Sequence, residues 1–258
     1  MATIRKYKPG EFCWTDLGTT DVAGAKKFYK GIFGWESRDG PMGIGDLQYS
    51  MLLIDGKEVC ALYPMYDAQC QMKIPPFWLP YISVKSVVRT VKKAKAAGSA
   101  IVMEPIDVMK KGRMAVIQDP SGAVFALWQA WSHPGAKLDD MHGTVYWQDL
   151  NTVKRDAAAA FYTTVFGWQL QNSDFSGNAY HLFKLNGEAV AGMWPEAMDK
   201  LPPSWLTYWE VSSCAKTVAK AKRLGGTILM GTTLVPGMCK FAVLKDPQGA
   251  VFGILEPD

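Results

Sequence analysis

Histidine is almost missing from this chain: 258 residues hold only His133, His142 and His181. A histidine-based metal or acid–base centre therefore has few places to stand. Cysteine is scarce too. Cys13, Cys60, Cys70, Cys214 and Cys239 are odd in number and contain no Cys-x-x-Cys pair, which argues against a disulfide framework and a structural zinc site. No apolar run approaches the roughly 18 residues of a membrane helix. The opening MATIRKYKPGEF lacks the apolar segment of a signal peptide. A soluble, reduced, cytoplasmic protein without a membrane partner is expected.

Charge of one sign is lacking as well. Lys and Arg total 28 against 24 Asp and Glu, a net +4. The densest basic group, Lys92, Lys93 and Lys95, falls in a predicted helix and reads as a solvated face, so no nucleic-acid partner is expected. Nor is there a Gly-rich phosphate loop or a recognisable Ser/His/Asp or Cys/His order.

What the chain does have is repetition. Trp14–Trp35 reads WTDLGTTDVAGAKKFYKGIFGW, and Trp147–Trp168 reads WQDLNTVKRDAAAAFYTTVFGW. Trp14/Trp147, Asp16/Asp149, Leu17/Leu150, Phe28-Tyr29/Phe161-Tyr162 and Phe33-Gly34-Trp35/Phe166-Gly167-Trp168 recur at one spacing of 133 residues. Such self-similarity marks a tandem duplication.

Each copy gives the same order of elements. Phe12–Leu17 reads as a strand. Thr19-Thr20-Asp21 offers N-cap chemistry for a helix over Val22–Ile32, with Gly34 as its left-handed stop. Apolar runs at Tyr49–Ile54 and Val59–Tyr63 flank Asp55-Gly56, a hairpin signal, and Asn186-Gly187 repeats it in copy two. A strand at Trp78–Val84 and a helix at Val87–Ala97 follow Pro75-Pro76. Strands around Ile101–Met103, Met114–Gln118 and Ala123–Gln129 then close the copy, with Asp119-Pro120-Ser121-Gly122 as a type I turn. The spacing between copies drifts to 127 at Asp119/Asp246, as loop deletions would produce. The polar stretch 132–142 reads as a linker between domains at 1–131 and 143–258.

The pattern Trp-x-Asp-Leu, Phe-Tyr, Phe-Gly-Trp, then Asp/Asn-Gly, Trp-x-x-Tyr-x-x-Val and Asp-Pro-x-Gly-Ala-Val-Phe resembles the glyoxalase/bleomycin-resistance/extradiol-dioxygenase family, the vicinal oxygen chelate superfamily. The likeness runs over Gly10–Gln129 and Gly143–Glu256. It implies an α+β fold: tandem glyoxalase-like domains of paired βαβββ modules forming cupped, half-open β-sheets, with a small-molecule site in the cup. Functions in that superfamily span isomerases, dioxygenases, epoxide-opening resistance enzymes and metal-free drug binders.

Where metal-bearing relatives place ligands, the resemblance aligns Trp14, Leu79 and Ala126, and in copy two Trp147, Leu206 and Gly253. None of these side chains ligates a divalent cation, so neither metal nor cofactor is expected. Strand alternation sends Phe12, Trp14 and Asp16 into one cup and Val145, Trp147 and Asp149 into the other. The expected ligand-binding residues are Trp14, Tyr81, Trp128, Trp147, Tyr208 and His181. Large aromatics also fill cores, and that reading stays open for each tryptophan. His181, alternating with Phe183 and Leu185, is read as facing cup or core, in a buried structural role or as an acid–base group. His133, His142, Glu58 and Glu188 are read as solvated.

The leading expectation is a metal-independent binder of a hydrophobic or aromatic metabolite or antibiotic, monomeric or homodimeric. The alternative is an enzyme, a lactoylglutathione-lyase-like lyase or isomerase or a hydroxylase-like protein. It would act on a reactive aldehyde or polyketide-like substrate, with Asp149, Glu210 and His181 as acid–base candidates.

Overall fold

The computed structural model describes residues 2–3, 6–42, 47–175, 178–194, 196–198 and 201–258. After β1 (Ala2–Thr3), copy one runs β2 (Phe12–Thr19), α1 (Val22–Phe33), β3 (Glu36–Pro41), β4 (Gln48–Ile54), β5 (Lys57–Pro64) and a short α2 (Asp67–Gln71). It continues with β6 (Phe77–Ser83), α3 (Val87–Ala96), β7 (Ala100–Val108), β8 (Gly112–Gln118) and β9 (Val124–Ala130). β10 (Leu138–Asp139) lies in the connecting stretch and pairs antiparallel with β1.

Copy two repeats the order as β11 (Val145–Asn151), α4 (Arg155–Phe166), β12 (Gln169–Phe175), β13 (Asn178–Leu185), β14 (Glu188–Met193) and β15 (Ser204–Glu210). It ends with α5 (Cys214–Arg223), β16 (Thr227–Val235), β17 (Cys239–Lys245) and β18 (Val251–Pro257).

Each copy builds its own eight-stranded mixed sheet, β3-β4-β5-β2-β6-β9-β8-β7 and β12-β13-β14-β11-β15-β18-β17-β16. Two βαβββ halves meet along the antiparallel pairs β2–β6 and β11–β15. The edge strands β3 and β12 escape sequence reading. β3 (Glu-Ser-Arg-Asp-Gly-Pro) is largely exposed, so it carries no apolar alternation to reveal it.

Local chemistry explains the joints. Asp21 caps α1 by accepting from the Gly24 amide, and Gly34 closes it at φ +78°. Both hairpin dipeptides, Asp55-Gly56 and Asn186-Gly187, have positive φ at both residues, as a type I′ turn requires.

The helix-bearing faces of the two sheets pack on each other, and this decides where the core lies. One cluster joins Leu17, Phe28, Tyr29, Phe33 and Trp35 of copy one to Trp209, Cys214, Leu244 and Phe252 of copy two. A second cluster mirrors it with Phe125, Leu127, Phe161, Tyr162, Trp168 and Trp205. The repeated Phe-Tyr and Asp-Pro-x-Gly motifs cross-link here. Tyr29 donates to Asp246 (2.9 Å) and accepts from Trp78 Nε1 (3.0 Å). Tyr162 donates to Asp119 (2.7 Å) and accepts from Trp205 Nε1 (2.8 Å). The other face of each sheet holds a separate cluster, and these are the cups.

Candidate functional site

In cup one the organising residue is Asp16, 2% exposed and surrounded by aromatic side chains. Trp14 Nε1 donates to the Tyr49 hydroxyl (2.9 Å), which donates to Asp16 Oδ2 (3.0 Å). The Tyr81 hydroxyl donates to the same oxygen (2.8 Å). Burial disfavours the carboxylate and pushes the Asp16 pKa up to about 7, against the opposing pull of the two tyrosine hydrogen bonds. Tyr49 and Tyr81 are driven well above the usual phenol range, first by burial and then by the Asp16 charge. Leu79, Met114, Val116, Ala126 and Trp128 complete the wall.

Cup two repeats the relay. Trp147 Nε1 donates to the Tyr180 hydroxyl (2.9 Å) and to Asp149 Oδ1 (3.1 Å), and Tyr180 donates to that oxygen in turn. Burial raises Asp149 to about 6. Tyr208 lies near enough to pull that value down, but its hydroxyl makes no well-aligned hydrogen bond. Gly192 leaves the room this pair needs, because a Cβ there would overlap both the Tyr180 hydroxyl and the Asp149 carboxylate. Copy one has Ala61 at the matching place, paired with Asp16 as Gly192 is with Asp149.

The expected site residues divide. Trp14, Tyr81 and Trp128 come together in cup one, and Trp147 and Tyr208 in cup two. His181 does not join them. It is half-exposed, its Nδ1 meets Asn172 Oδ1 at 2.8 Å, and it shares a strand face with Phe183, which is buried in the helix-side core. The neighbouring Tyr180 enters the cup instead. Glu210 sits at the end of β15, raised by burial and by Asp140, and is no hydrogen-bond partner of Asp149.

Phe12 and Val145 also leave the cups. A β-bulge before Trp14 and one before Trp147 reset the alternation. Phe12 then packs on Trp205 (5.0 Å) and Trp168 in the shared core, and Val145 packs against its mirror cluster.

Two residues read as solvated are not. His133 is buried, its ring edge-on to Trp14 (4.8 Å), and its carbonyl accepts from Trp128 Nε1 (2.9 Å). Glu58 lies 3.4 Å from His133 Nε2 and 2.7 Å from Arg38, and His133 is the main influence holding its carboxyl below the usual range. His142 is partly buried near Phe33. The segment 132–142 is thus packed along copy one.

Tyr49, Tyr180 and His133 were missed by sequence reasoning. Tyr49 and Tyr180 recur at one register, 131 residues apart, which was the available signal. Alternation could not select their face, since both sides of the strand are apolar.

Pairing register sets Trp14 opposite Tyr81 and Tyr81 beside Ala126, and likewise Trp147, Tyr208 and Gly253. Tyr81 and Tyr208, rather than Leu79 and Leu206, therefore fill the middle of each row. Such side chains do not fit a divalent cation. Among the described residues no group of three or more His, Cys, Asp or Glu stands together. Trp14 and Trp147 also line a cleft of about 330 Å³ between the copies, with Tyr7, Leu138 and Tyr146. A larger depression beside Lys26, Lys27 and Lys30 is open to solvent and holds none of these groups.

Comparison with known proteins places this geometry. The model of the Glyoxalase/Bleomycin resistance protein/Dioxygenase superfamily matches residues 12–127 and 147–254. "Putative glyoxylase CFP32" of Mycobacterium tuberculosis is 38% identical over 258 residues, covering 100% of this chain and 98% of that protein. "Anthracycline biosynthesis protein DnrV" of Streptomyces peucetius is 31% identical over 98% of this chain and 95% of its own length. Among solved structures, the Mn(II)-bound glyoxalase from Novosphingobium aromaticivorans superposes with a TM-score of 0.67 at 17% identity, covering 96% of this chain and 82% of that one. A catechol 2,3-dioxygenase does so with 0.61 at 13%, covering 98% and 89%. At such identities these two structures speak to fold alone. Two family matches in tandem, with relatives aligned along nearly the whole chain, show that the protein belongs to the glyoxalase/bleomycin resistance protein/dioxygenase superfamily.

Proposed function

We propose that this protein is a metal-independent, cytoplasmic binder of a hydrophobic or aromatic small molecule, held in one or both aromatic cups. The observation that carries the reading is the Trp–Tyr–Asp relay on each cup floor: a buried polar anchor within an apolar aromatic wall, the composition expected of a small-molecule pocket. The misfit of the cup residues to a cation supports metal independence, and five unpaired cysteines accord with a reducing compartment. The relative named for anthracycline biosynthesis supports an aromatic, polyketide-like ligand.

A second reading, an enzyme working on such a ligand or on a reactive aldehyde, draws on the raised pKa values of Asp16 and Asp149, about 7 and about 6. A group poised near neutrality suits general acid–base work. Asp149 stays a candidate for that role, while Glu210 and His181 lack contact with it.

Elemental analysis combined with tryptophan quenching tests the leading reading. Saturable quenching by a planar aromatic ligand is expected, unchanged by chelator and weakened by Trp14→Ala or Trp147→Ala. Stoichiometric bound metal, or quenching abolished by chelator, would overturn metal independence. Quenching unaltered in both variants would remove the cups as the site.

A further inference from the structure

The Asp16 carboxyl has its two oxygens in different circumstances. Oδ2 receives both tyrosine hydroxyls. The direction of the Tyr49 bond is fixed, because that hydroxyl already accepts from Trp14 Nε1 and so turns its own proton toward Asp16. Oδ1 is buried and has no hydrogen-bond partner. In the neutral acid, the proton therefore falls on Oδ1, since Oδ2 is saturated as an acceptor. A buried donor left without an acceptor costs about 1–3 kcal/mol, and a ligand that supplies the acceptor recovers it.

We propose that cup one recognises an aromatic ketone or quinone-like carbonyl, whose oxygen accepts a hydrogen bond from Asp16 Oδ1 while its rings lie among Trp14, Tyr81 and Trp128. This rests on the reading of the cups as ligand sites and adds the polar group the ligand must carry. A pyrrole-type N–H, a donor with no free lone pair, would need the opposite arrangement, a carboxylate with a free lone pair.

The electrostatic surroundings favour the neutral acid. The titratable groups close enough to feel the Asp16 charge are Tyr49 from β4, Tyr63 from β5, Tyr66 beyond it and Tyr81 from β6, with Cys60 on the opposite, core-facing side of β5. Each of them is itself raised, so none supplies a charge near neutral pH. The His133–Glu58 pair lies behind Trp14, and no lysine or arginine contributes to the Asp16 acid constant. Cup two differs, since its orphaned groups among the described residues include the Tyr208 hydroxyl and Trp194 Nε1 rather than a carboxyl oxygen, and the proposal is confined to cup one.

Three molecules of one fused tricyclic shape separate the possibilities: 9-fluorenone carries an acceptor, carbazole an N–H donor whose lone pair is delocalised into the rings, and fluorene neither. Calorimetric titration of the full-length protein at pH 6 should show fluorenone binding about tenfold tighter than fluorene, the worth of one recovered hydrogen bond. That advantage should fade by pH 8.5, when Asp16 has lost its proton. In Asp16→Asn, whose amide donates at every pH, the preference should persist at pH 8.5. In Asp16→Ala it should vanish, with circular dichroism confirming that both variants fold. Equal affinity for all three molecules, a carbazole preference at pH 6, or a fluorenone preference untouched by pH and by Asp16→Ala would each overturn the proposal while leaving the cups as ligand sites. No binding of any of the three at either pH would remove the cup reading, and this inference with it.

Discussion

Trp14 and Asp16 stand two residues apart on β2 and share a face, yet they are linked through Tyr49, 35 residues along the chain from Trp14, and Asp16 takes its second hydroxyl from Tyr81, 65 residues beyond it. Burying Asp16 and Asp149 has a cost that depends on pH. Their pKa values rise from 3.8 to about 7 and about 6, so between pH 4 and 6–7 the folded chain keeps protons that the unfolded chain releases. The stabilisation from this source is complete below pH 3.8 and disappears as pH rises through 6–7. Urea denaturation at pH 5 and pH 8 should show the double variant Asp16→Asn, Asp149→Asn gaining on the native protein as pH rises. A difference between the two proteins that is the same at both pH values would contradict the buried-acid account.

At the scale of elements, the strands that carry the cups are covered on both faces. Leu52 and Phe183 pack under helices, while Tyr49 and Tyr180, on the opposite face of the same strands, reach the carboxylates. This is why the alternation of β4 and β13 is ambiguous: His181 shares the face of Phe183, the core side of the two surfaces the pattern leaves open, and does not reach the cup. The bulges at Trp14 and Trp147 are equally silent in sequence, since one extra residue changes pairing without changing composition. A glycine does betray one such detail. Gly192→Ala would force a methyl group into the Asp149–Tyr180 contact. It should lower stability by about 1–3 kcal/mol, as overpacking does, read as a drop in Tm. A variant as stable as the parent would mean the pair can move aside. The caps, hairpins and repeated Asp-Pro-x-Gly turns were legible because each depends on neighbours in sequence.

For the whole molecule, the two copies are bound into one structure by their helix faces. A buried tryptophan removes about 150–250 Å² from water, on the order of 4–6 kcal/mol at about 25 cal/mol per Å². Trp35, Trp168 and Trp209 are each fully buried in clusters drawn from both copies. A free copy would expose much of that surface and leave Tyr29 without Asp246 or Tyr162 without Asp119. Residues 1–142 expressed alone should therefore aggregate, or pair with a second copy of themselves, and co-expression with 143–258 should restore a soluble complex. Gel filtration with calorimetry checks this. A monomeric fragment with a sharp thermal transition would show that each half folds unaided.

The sequence by itself determined the duplication, the order of the strands and helices other than β1, β3, α2, β10 and β12, and the family to which the chain belongs. All three follow from local patterns that the chain repeats in register. It also put Trp14 and Trp147 at the positions where, by the resemblance, a metal-binding relative carries a ligand. Only the tertiary structure decided that Asp16 and Asp149 anchor the cup floors, that Tyr49 and Tyr180 complete them, and that His133 is buried behind Trp14. Those facts depend on bulges, on which side of a doubly covered strand faces inward, and on strands brought together from distant parts of the chain. Neither composition nor periodicity records them.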